Sequence, residues 1–173
     1  MKQTPPQKHE EFDPRLTQER LARLVRLAAR AFNRSLQVRL QSEGVTFGQW
    51  IFMRILWYND GLSQRELSNH AHVTEPTAHT ALTKLEKQGI ITREKMEGNR
   101  RTLKICLTPK GMALRDRLEP MARDVNERSL RGLDEGEERI LRKGLLAIIR
   151  NLEAGEEDAA LQGVKVPATR SSF

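Results

Sequence analysis

The segment from Leu62 to Gly111 constrains the fold of this chain more than any other feature. It contains two short helical patterns with a brief connection between them, "SQRELSNHA" and "TEPTAHTALTKLEKQ". Two alternating segments follow, "IITREK" and "TLKICL", and the basic turn "MEGNRR" joins them. Two short helices followed by a β-ribbon are in the order of a winged helix-turn-helix. The sequence therefore predicts that fold for the centre of the chain.

Capping signals place the two short helices. Ser63 and Glu66 have the spacing of a capping box, which predicts a helix from about residue 63 to residue 71. Thr74 is the expected N-cap of the second helix, proline at 76 is tolerated in its first turn, and Gly89 ends it. The second helix, residues 75–88, is in the position of a recognition helix.

Long amphipathic helices are predicted on both sides of this segment. Apolar residues recur at helical spacing from about Thr17 to Glu43, and arginines occupy the opposite face. These arginines are Arg20, Arg23, Arg26, Arg30 and Arg34. After the second strand, Thr108 and the pair Asp134 and Glu137 are expected to cap two more helices. Because a small winged domain cannot bury so many apolar residues, the outer helices predict a helical dimerisation region.

The predicted fold class is mainly α with a small β-wing. A winged helix-turn-helix domain is flanked by long N- and C-terminal helices that form a dimerisation region. The expected divisions are a disordered N-terminal arm at 1–16, a dimerisation helix at 17–45, the winged helix-turn-helix DNA-binding domain at 46–107, dimerisation helices at 108–152 and a flexible tail at 153–173.

Charge and composition narrow the function classes. The 30 Lys and Arg residues outnumber the 23 Asp and Glu residues, and the net charge of +7 favours a polyanionic partner while also being compatible with simple solubility. The opening "MKQTPPQKHEEFDP" lacks an apolar stretch, so a cytoplasmic location is expected. Cys106 is the single cysteine, and a half-buried thiol is favoured there over a redox sensor.

The recognition helix and the wing carry side chains suited to duplex DNA. Short polar groups near the helix start can contact base edges, later lysines can contact phosphates, and arginines on a ribbon suit the minor groove. The competing interpretation is an ordinary solvated helix face. The predicted DNA-binding residues are Ser63, Gln64, Arg65, Glu75, Pro76, Thr77, His79, Thr80, Thr83, Lys84, Lys87, Asn99, Arg100 and Arg101.

The central motifs resemble those of the MarR family of bacterial transcriptional regulators. The segments "LEKQGIITR", "GNRR" and "LTPKG" are similar to the family's LEKxGLIxR, DRR and LTxKG. The likeness is close from Leu62 to Gly111, and the order of helices extends it over residues 17–152. Two positions depart from the family pattern: Asn99 replaces the usual aspartate of the wing, and Thr80 lies where many relatives have arginine.

This resemblance implies a homodimeric regulator of transcription, expected to be a repressor, on a pseudo-palindromic operator. Two reading heads would contact half-sites about one helical turn (~34 Å) apart. Members of the family commonly bind small aromatic ligands in a crevice between the dimer helices and the winged domain. The effector expected here is a small anionic aromatic acid or its coenzyme A thioester, whose binding would release the DNA.

A group of arginine and aromatic residues is predicted to form the effector site. The arginines of the first helix offer forked donors for an anion, and the second long pattern, "FGQWIFMRILWYND", has an aromatic face with one arginine. The alternative is that the aromatic residues are core and the arginines a solvated face. The predicted ligand-binding residues are Arg23, Arg26, Arg30, Phe47, Trp50, Arg54 and Trp57.

No motif in the sequence indicates catalysis or a bound metal. His70, His72 and His79 are close in sequence, but no cysteine or paired-carboxylate pattern joins them, so a zinc site is not expected. No phosphate-binding loop or nucleophile motif is present. The prediction is a protein that is not an enzyme and needs no cofactor. The remaining alternative is a winged-helix protein-interaction or RNA-binding module without ligand control.

Overall fold

The computed structural model describes residues 13–96 and 99–166, and for Met96 and residues 99–102 it describes the backbone alone. The helices are α1 (Pro14–Thr17), α2 (Leu21–Leu40), α3 (Phe47–Tyr58), α4 (Gln64–His70), α5 (Glu75–Lys87), α6 (Pro109–Ser129) and α7 (Glu135–Leu161). The strands are β1 (Leu62–Ser63), β2 (Ile91–Met96) and β3 (Asn99–Leu107), and a 3-10 turn, Gln41–Glu43, follows α2. The predicted fold class, mainly α with a small β-wing, is confirmed.

Side-chain caps begin several helices where the sequence predicts them. Ser63 and Glu66 form a reciprocal capping box at α4, and Asp134 and Glu137 form another at α7. The Thr108 hydroxyl accepts a hydrogen bond from the backbone N–H of residue 111 at the start of α6. Thr74 is at the N-cap position of α5, but its hydroxyl lies 2.9 Å from that of Thr77 and caps no backbone N–H.

The wing is an antiparallel ribbon with a third, very short strand at its edge. The strand order is β1-β3-β2, with Ile91 opposite Leu107 and Leu62 opposite Ile105. The Leu107 N–H donates to Asp60 Oδ1 at 2.9 Å, which holds the end of β3 against the turn after α3. Strand β1 is not predicted from the sequence, because two residues are too few to show an alternating pattern.

Helix α3 lies at the centre of the hydrophobic core. Trp50 and Trp57 pack edge to face with ring centroids 5.4 Å apart. Met53, on the same helix, is fully buried. Leu82 and Leu85 of α5 are fully buried in the same core. The recognition helix is therefore held by its apolar face, and its polar face is left toward solvent.

The junction between the wing and α6 depends on a close backbone approach. A Cβ atom added at Gly111 would lie 2.3 Å from the carbonyl oxygen of Ile90. The indole N–H of Trp57 donates to the Gly111 carbonyl at 3.0 Å. Glycine at the end of the "LTPKG" motif thus allows α3, α6 and the start of β2 to meet at one point.

Helix α7 contributes nothing to this core. None of its 27 residues, all of which the structure describes, is buried. Ile140 is 73% exposed and Leu152 is 65% exposed. An apolar groove of about 630 Å³ lies between α7, α2 and α6, and Leu24, Leu141 and Leu145 are among its lining residues. A long apolar surface is therefore uncovered in the single chain.

Two predicted boundaries are wrong at their inner ends. The predicted arm, 1–16, overlaps α1, which Asp13 caps by accepting a hydrogen bond from the Arg15 N–H at 3.0 Å. The predicted flexible tail, 153–173, overlaps the last turns of α7, which continue to Leu161. Alanine and glutamate dominate residues 153–161, and they favour a helix even without a clear apolar period. Residues 1–12 and 167–173 lie outside the described residues.

No helix of the described residues is long and apolar enough to cross a membrane.

Candidate nucleic-acid interface and ligand crevice

Helix α5 has one buried face and one exposed polar face. Ala78, Leu82 and Leu85 are completely buried. The other face carries half of the residues predicted to contact DNA, and they are exposed: Glu75, Pro76, Thr77, His79, Thr80, Lys84 and Lys87. Small hydroxyl and imidazole groups therefore lie on the first turns, and amines lie toward the end of the helix.

Helix α4 adds polar groups beside the start of α5. His79 Nδ1 lies 3.2 Å from Gln64 Oε1, so these two predicted residues lie together. Arg65, the next residue of α4, is exposed. Ser63 differs, because its hydroxyl donates to Glu66 Oε2 at 2.7 Å within the capping box. That hydrogen bond lowers the pKa of the Glu66 carboxyl. Ser63 is a helix cap in this structure because its hydroxyl oxygen also accepts the backbone N–H of Glu66 at 3.2 Å.

The base of the wing is tied to α5 by a small hydrogen-bonded group. Arg93 of β2 donates to Glu86 Oε2 at 2.8 Å and to the Thr83 hydroxyl at 3.3 Å. Thr83, predicted as a phosphate contact, is half-buried and occupied by this bond. Arg93 and Glu86 are not predicted as positioning residues from the sequence, although both lie within the "LEKQGIITR" motif.

The side chains at the tip of the wing lie outside the described residues. These are Asn99, Arg100 and Arg101, whose backbone forms the start of β3. The ribbon itself is described, and it carries a register shift between Lys95 and Met96 just before the tip. The DNA contacts of the three side chains stay predictions.

A crevice of about 670 Å³ lies between α2, α3 and α6. Three of the predicted ligand-binding residues line it: Phe47, Trp50 and Arg54. Its other prominent lining residues are not predicted from the sequence: Phe32, Tyr58, His70, Glu119 and Arg123. They come from four helices far apart in the chain, so no local spacing in the sequence connects them.

Four other predicted ligand-binding residues do not line the crevice. Trp57 is 7% exposed, and its indole N–H is used by the Gly111 carbonyl, so it is a core residue. Arg23 pairs with Glu19 on the solvent side. Arg26 is exposed, and Arg30 lines a separate groove of about 550 Å³. The physical reason is the rotation of α2: its Phe32 and Leu36 side faces the crevice, and the arginines lie on the other side of the helix.

Ion pairs hold the walls of the crevice together. Asp124 of α6 accepts hydrogen bonds from Arg128 at 2.7 Å and from Arg39 of α2 at 2.7 Å. These two guanidinium groups lower the pKa of the Asp124 carboxyl. Arg117 of α6 lies 2.9 Å from Glu43 at the end of the 3-10 turn. Helix α6 is therefore linked to α2 by one ion pair and to the 3-10 turn after α2 by another.

The structure also describes the environment of the single cysteine and the groups that could bind a metal. Cys106 is half-buried on β3, and burial, followed by the nearby Asp60 carboxylate, raises the pKa of its thiol. Such a thiol is less ionised and less reactive than a free cysteine. Among the described residues, no group of three or more His, Cys, Asp and Glu side chains could hold a metal ion.

Comparison with known proteins identifies the chain's relatives. Residues 45–103 match the model of the MarR family. The HTH-type transcriptional repressor Rv2887 of Mycobacterium tuberculosis is 34% identical over 102 residues, which make up 59% of this chain and 73% of that protein. The chain belongs to the MarR family.

Solved structures of other transcriptional regulators have the same fold. The transcriptional regulator PA3341 has a TM-score of 0.70 at 32% identity, with 78% of this chain and 99% of that chain covered. Rv2887 in complex with p-aminosalicylic acid has a TM-score of 0.63 at 28% identity, with 75% and 98% covered. The expected class, a MarR-family transcriptional regulator, is confirmed, and regulators of this family are not enzymes.

The MarR motifs of this chain lie at positions with clear physical demands. Gly89 ends α5 with φ at +67°, a conformation that glycine adopts without strain. Arg93 ends the same motif and binds α5 through Glu86. Gly111 ends the third motif, where a larger residue would strike the Ile90 carbonyl. These positions explain why a short stretch of sequence identifies the family.

Proposed function

We propose that this MarR-family protein is a homodimeric transcriptional repressor that binds a pseudo-palindromic operator and is released by a small aromatic acid or its coenzyme A thioester. The observation that carries the proposal is the two-sided character of α5. Its apolar side is completely buried, while its polar side is exposed beside the wing ribbon. A protein acting on bacterial DNA in this way works in the cytoplasm.

The exposed face of α5 has the chemistry required for the major groove. Thr77 and His79 are short enough to let the helix approach base edges, and Lys84 and Lys87 suit phosphates farther along. The Thr80 hydroxyl donates to the Pro76 carbonyl at 3.0 Å, which leaves its oxygen lone pairs and its methyl group for a base. We propose that the wing arginines, Arg100 and Arg101, enter the adjacent minor groove.

The uncovered surface of α7 supports the homodimer. Exposed apolar side chains along a long helix are unfavourable in water, and a second copy covers them by symmetry. The N-terminal half of α2 contributes Leu21, which is 58% exposed, to the same surface. Two chains joined through these helices present two copies of α5 to one face of a duplex.

The crevice supports ligand control. Its volume of about 670 Å³ suits a small organic molecule, and it combines aromatic walls with the guanidinium groups of Arg54 and Arg123. It lies between α3, which packs on α5, and the helices α2 and α6. A ligand that moves α3 away from α2 and α6 would change the distance between the two winged domains of the dimer. The binding of p-aminosalicylic acid by the relative Rv2887 supports an aryl acid as the ligand class.

Selection of bound duplexes from a random pool tests this proposal. We expect a pseudo-palindromic consensus, bound by a dimer, and Arg101→Ala should weaken binding to it by about tenfold or more. Arg131→Ala, in the turn between α6 and α7, removes the same charge away from α5 and the wing and should have little effect. Equal binding of single-stranded RNA, with no preference for any duplex, would instead support an RNA-binding module.

A further inference from the structure

The ligand crevice contains an acidic side chain whose hydrogen bonding is incomplete. Glu119 of α6 lines the crevice, and its Oε1 atom is buried with no hydrogen-bond partner. Within residues 13–96 and 99–166, apart from the side chains at the wing tip, it is the one buried side-chain nitrogen or oxygen in this condition. A buried carboxylate oxygen without a donor is unfavourable, so its presence beside an open crevice calls for an explanation.

Neighbouring polar groups in the interior do have partners. The buried Gln49 amide donates to Gln88 Oε1 at 2.8 Å, and Trp57 donates to the Gly111 carbonyl. Asp124, one turn beyond Glu119 on α6, is bound by two arginines. Arg123 lies four residues after Glu119, a spacing that permits an ion pair, yet no ion pair joins these two side chains. Glu119 as a whole is half-buried, so a rotation of its side chain brings this free acceptor to a donor that enters the crevice.

The rest of the crevice offers the opposite kind of contact. Arg54 and Arg123 provide guanidinium donors for an anion, His70 adds an imidazole, and Phe32 and Trp50 provide aromatic surface. An aromatic ring with a single anionic group would satisfy the arginines. It would leave Glu119 without a donor, and it would also meet like-charge repulsion from that carboxylate.

We propose that Glu119 determines the specificity of the crevice, which selects aromatic molecules carrying both an anionic group and a hydrogen-bond donor, with a cationic amine as the best donor. This inference rests on the proposed ligand site and does not depend on DNA binding. The anionic group binds the arginines, and the amine donates to Glu119. A site that satisfies its own buried acceptor in this way discriminates strongly against the analogue that lacks the donor.

Two matched pairs of small probes test the proposal on the full chain. The meta and para isomers of aminomethylbenzoate carry both groups, and the corresponding toluates replace the amine with hydrogen and keep the ring and the carboxylate. Binding can be followed by tryptophan fluorescence, because Trp50 lines the crevice. At least one aminomethylbenzoate isomer should bind about tenfold more tightly than its toluate.

Two substitutions on α6 test whether the preference for the amine-bearing probes is due to Glu119. Glu119→Gln keeps the size of the side chain and removes its charge, so the preference for the amine should fall to about threefold or less, following the weaker bond to a neutral acceptor. Glu127→Gln makes the same change at an exposed position of α6 outside the crevice and should keep the full preference. Circular dichroism checks that both variants are folded.

Three results would overturn the inference: equal binding of toluates and amines by the unmodified chain, an undiminished preference in Glu119→Gln, or no binding of any probe. An undiminished preference together with a weaker dimer in Glu119→Gln would mean that Glu119 pairs with the second copy. Failure to bind any duplex, with the amine preference intact, would instead count against the proposed repressor and leave this ligand specificity standing.

Discussion

At the scale of single residues, Gly111 shows how one missing side chain sets the distance between elements. A Cβ atom on Gly111 would clash with the carbonyl oxygen of Ile90. The carbonyl of Gly111 accepts a hydrogen bond from the Trp57 indole N–H. A side chain here must therefore move either the wing or the helix that follows it. Interiors of proteins resist such movement because they are closely packed.

Gly111→Ala should destabilise the fold. The added methyl group forces the α6 backbone away from Ile90, and overpacking of this kind costs about 1–3 kcal/mol. Urea denaturation at fixed protein concentration measures the loss in the free energy of unfolding.

Gly155→Ala is the matched control for this substitution. Gly155 lies in α7, and a Cβ atom there meets nothing within 4 Å. Since alanine favours a helix over glycine by about 0.5–1 kcal/mol, this variant should be as stable as the unmodified chain or more so. If both substitutions have the same effect, the close approach at Gly111 is not important for stability.

At the scale of elements, α5 is expected to separate affinity from specificity along its length. Lys87→Ala should weaken binding to every duplex by a similar factor and reduce the slope of log affinity against log salt by about one. His79→Ala should mainly reduce the preference for the selected sequence, by about 1–3 kcal/mol per lost base contact. Titrations of selected and scrambled duplexes at several salt concentrations measure both quantities.

The control for this pair of variants is Lys165→Ala, which removes a lysine beyond the end of α7. It should leave both the salt slope and the sequence preference unchanged. A loss of sequence preference in Lys87→Ala, with none in His79→Ala, would reverse the assignment of the two ends of the helix.

The sequence predicts the elements of this molecule better than it predicts their surfaces. Helix starts at Ser63, Thr108 and Asp134 follow from local capping chemistry, and the structure confirms them. Residues that meet across the fold leave no such signal. Glu119 reaches the crevice through the packing of α6 against α2 and α3, and Trp57 is withdrawn from it by an acceptor 54 residues away in the chain.

At the scale of the whole molecule, α7 is a helix of 27 residues, none of which is buried in the single chain. Ile149→Glu should convert the proposed dimer into a monomer, because a buried, unpaired charge in an apolar interface is strongly unfavourable. Ile149 is 51% exposed in the single chain, so its own fold should tolerate the change. Sedimentation velocity measures the oligomeric state, and loss of operator binding should accompany the loss of the dimer.

Asn151→Glu adds the same charge two residues away and serves as the control. It lies off the apolar stripe of α7, so this variant should remain a dimer. A dimer that persists in Ile149→Glu would place the interface elsewhere on the chain.

In the proposed dimer α7 gains its packing from a second copy, so the amount of this protein in the cell would itself be a regulatory variable. Pairing scales with the square of the monomer concentration, so a modest drop in synthesis or a modest rise in turnover empties the operator disproportionately. A cell that dilutes the protein by growth would thus relieve repression with no effector present. The exposed apolar surface of α7 would thus make operator occupancy depend on how much of the protein the cell produces.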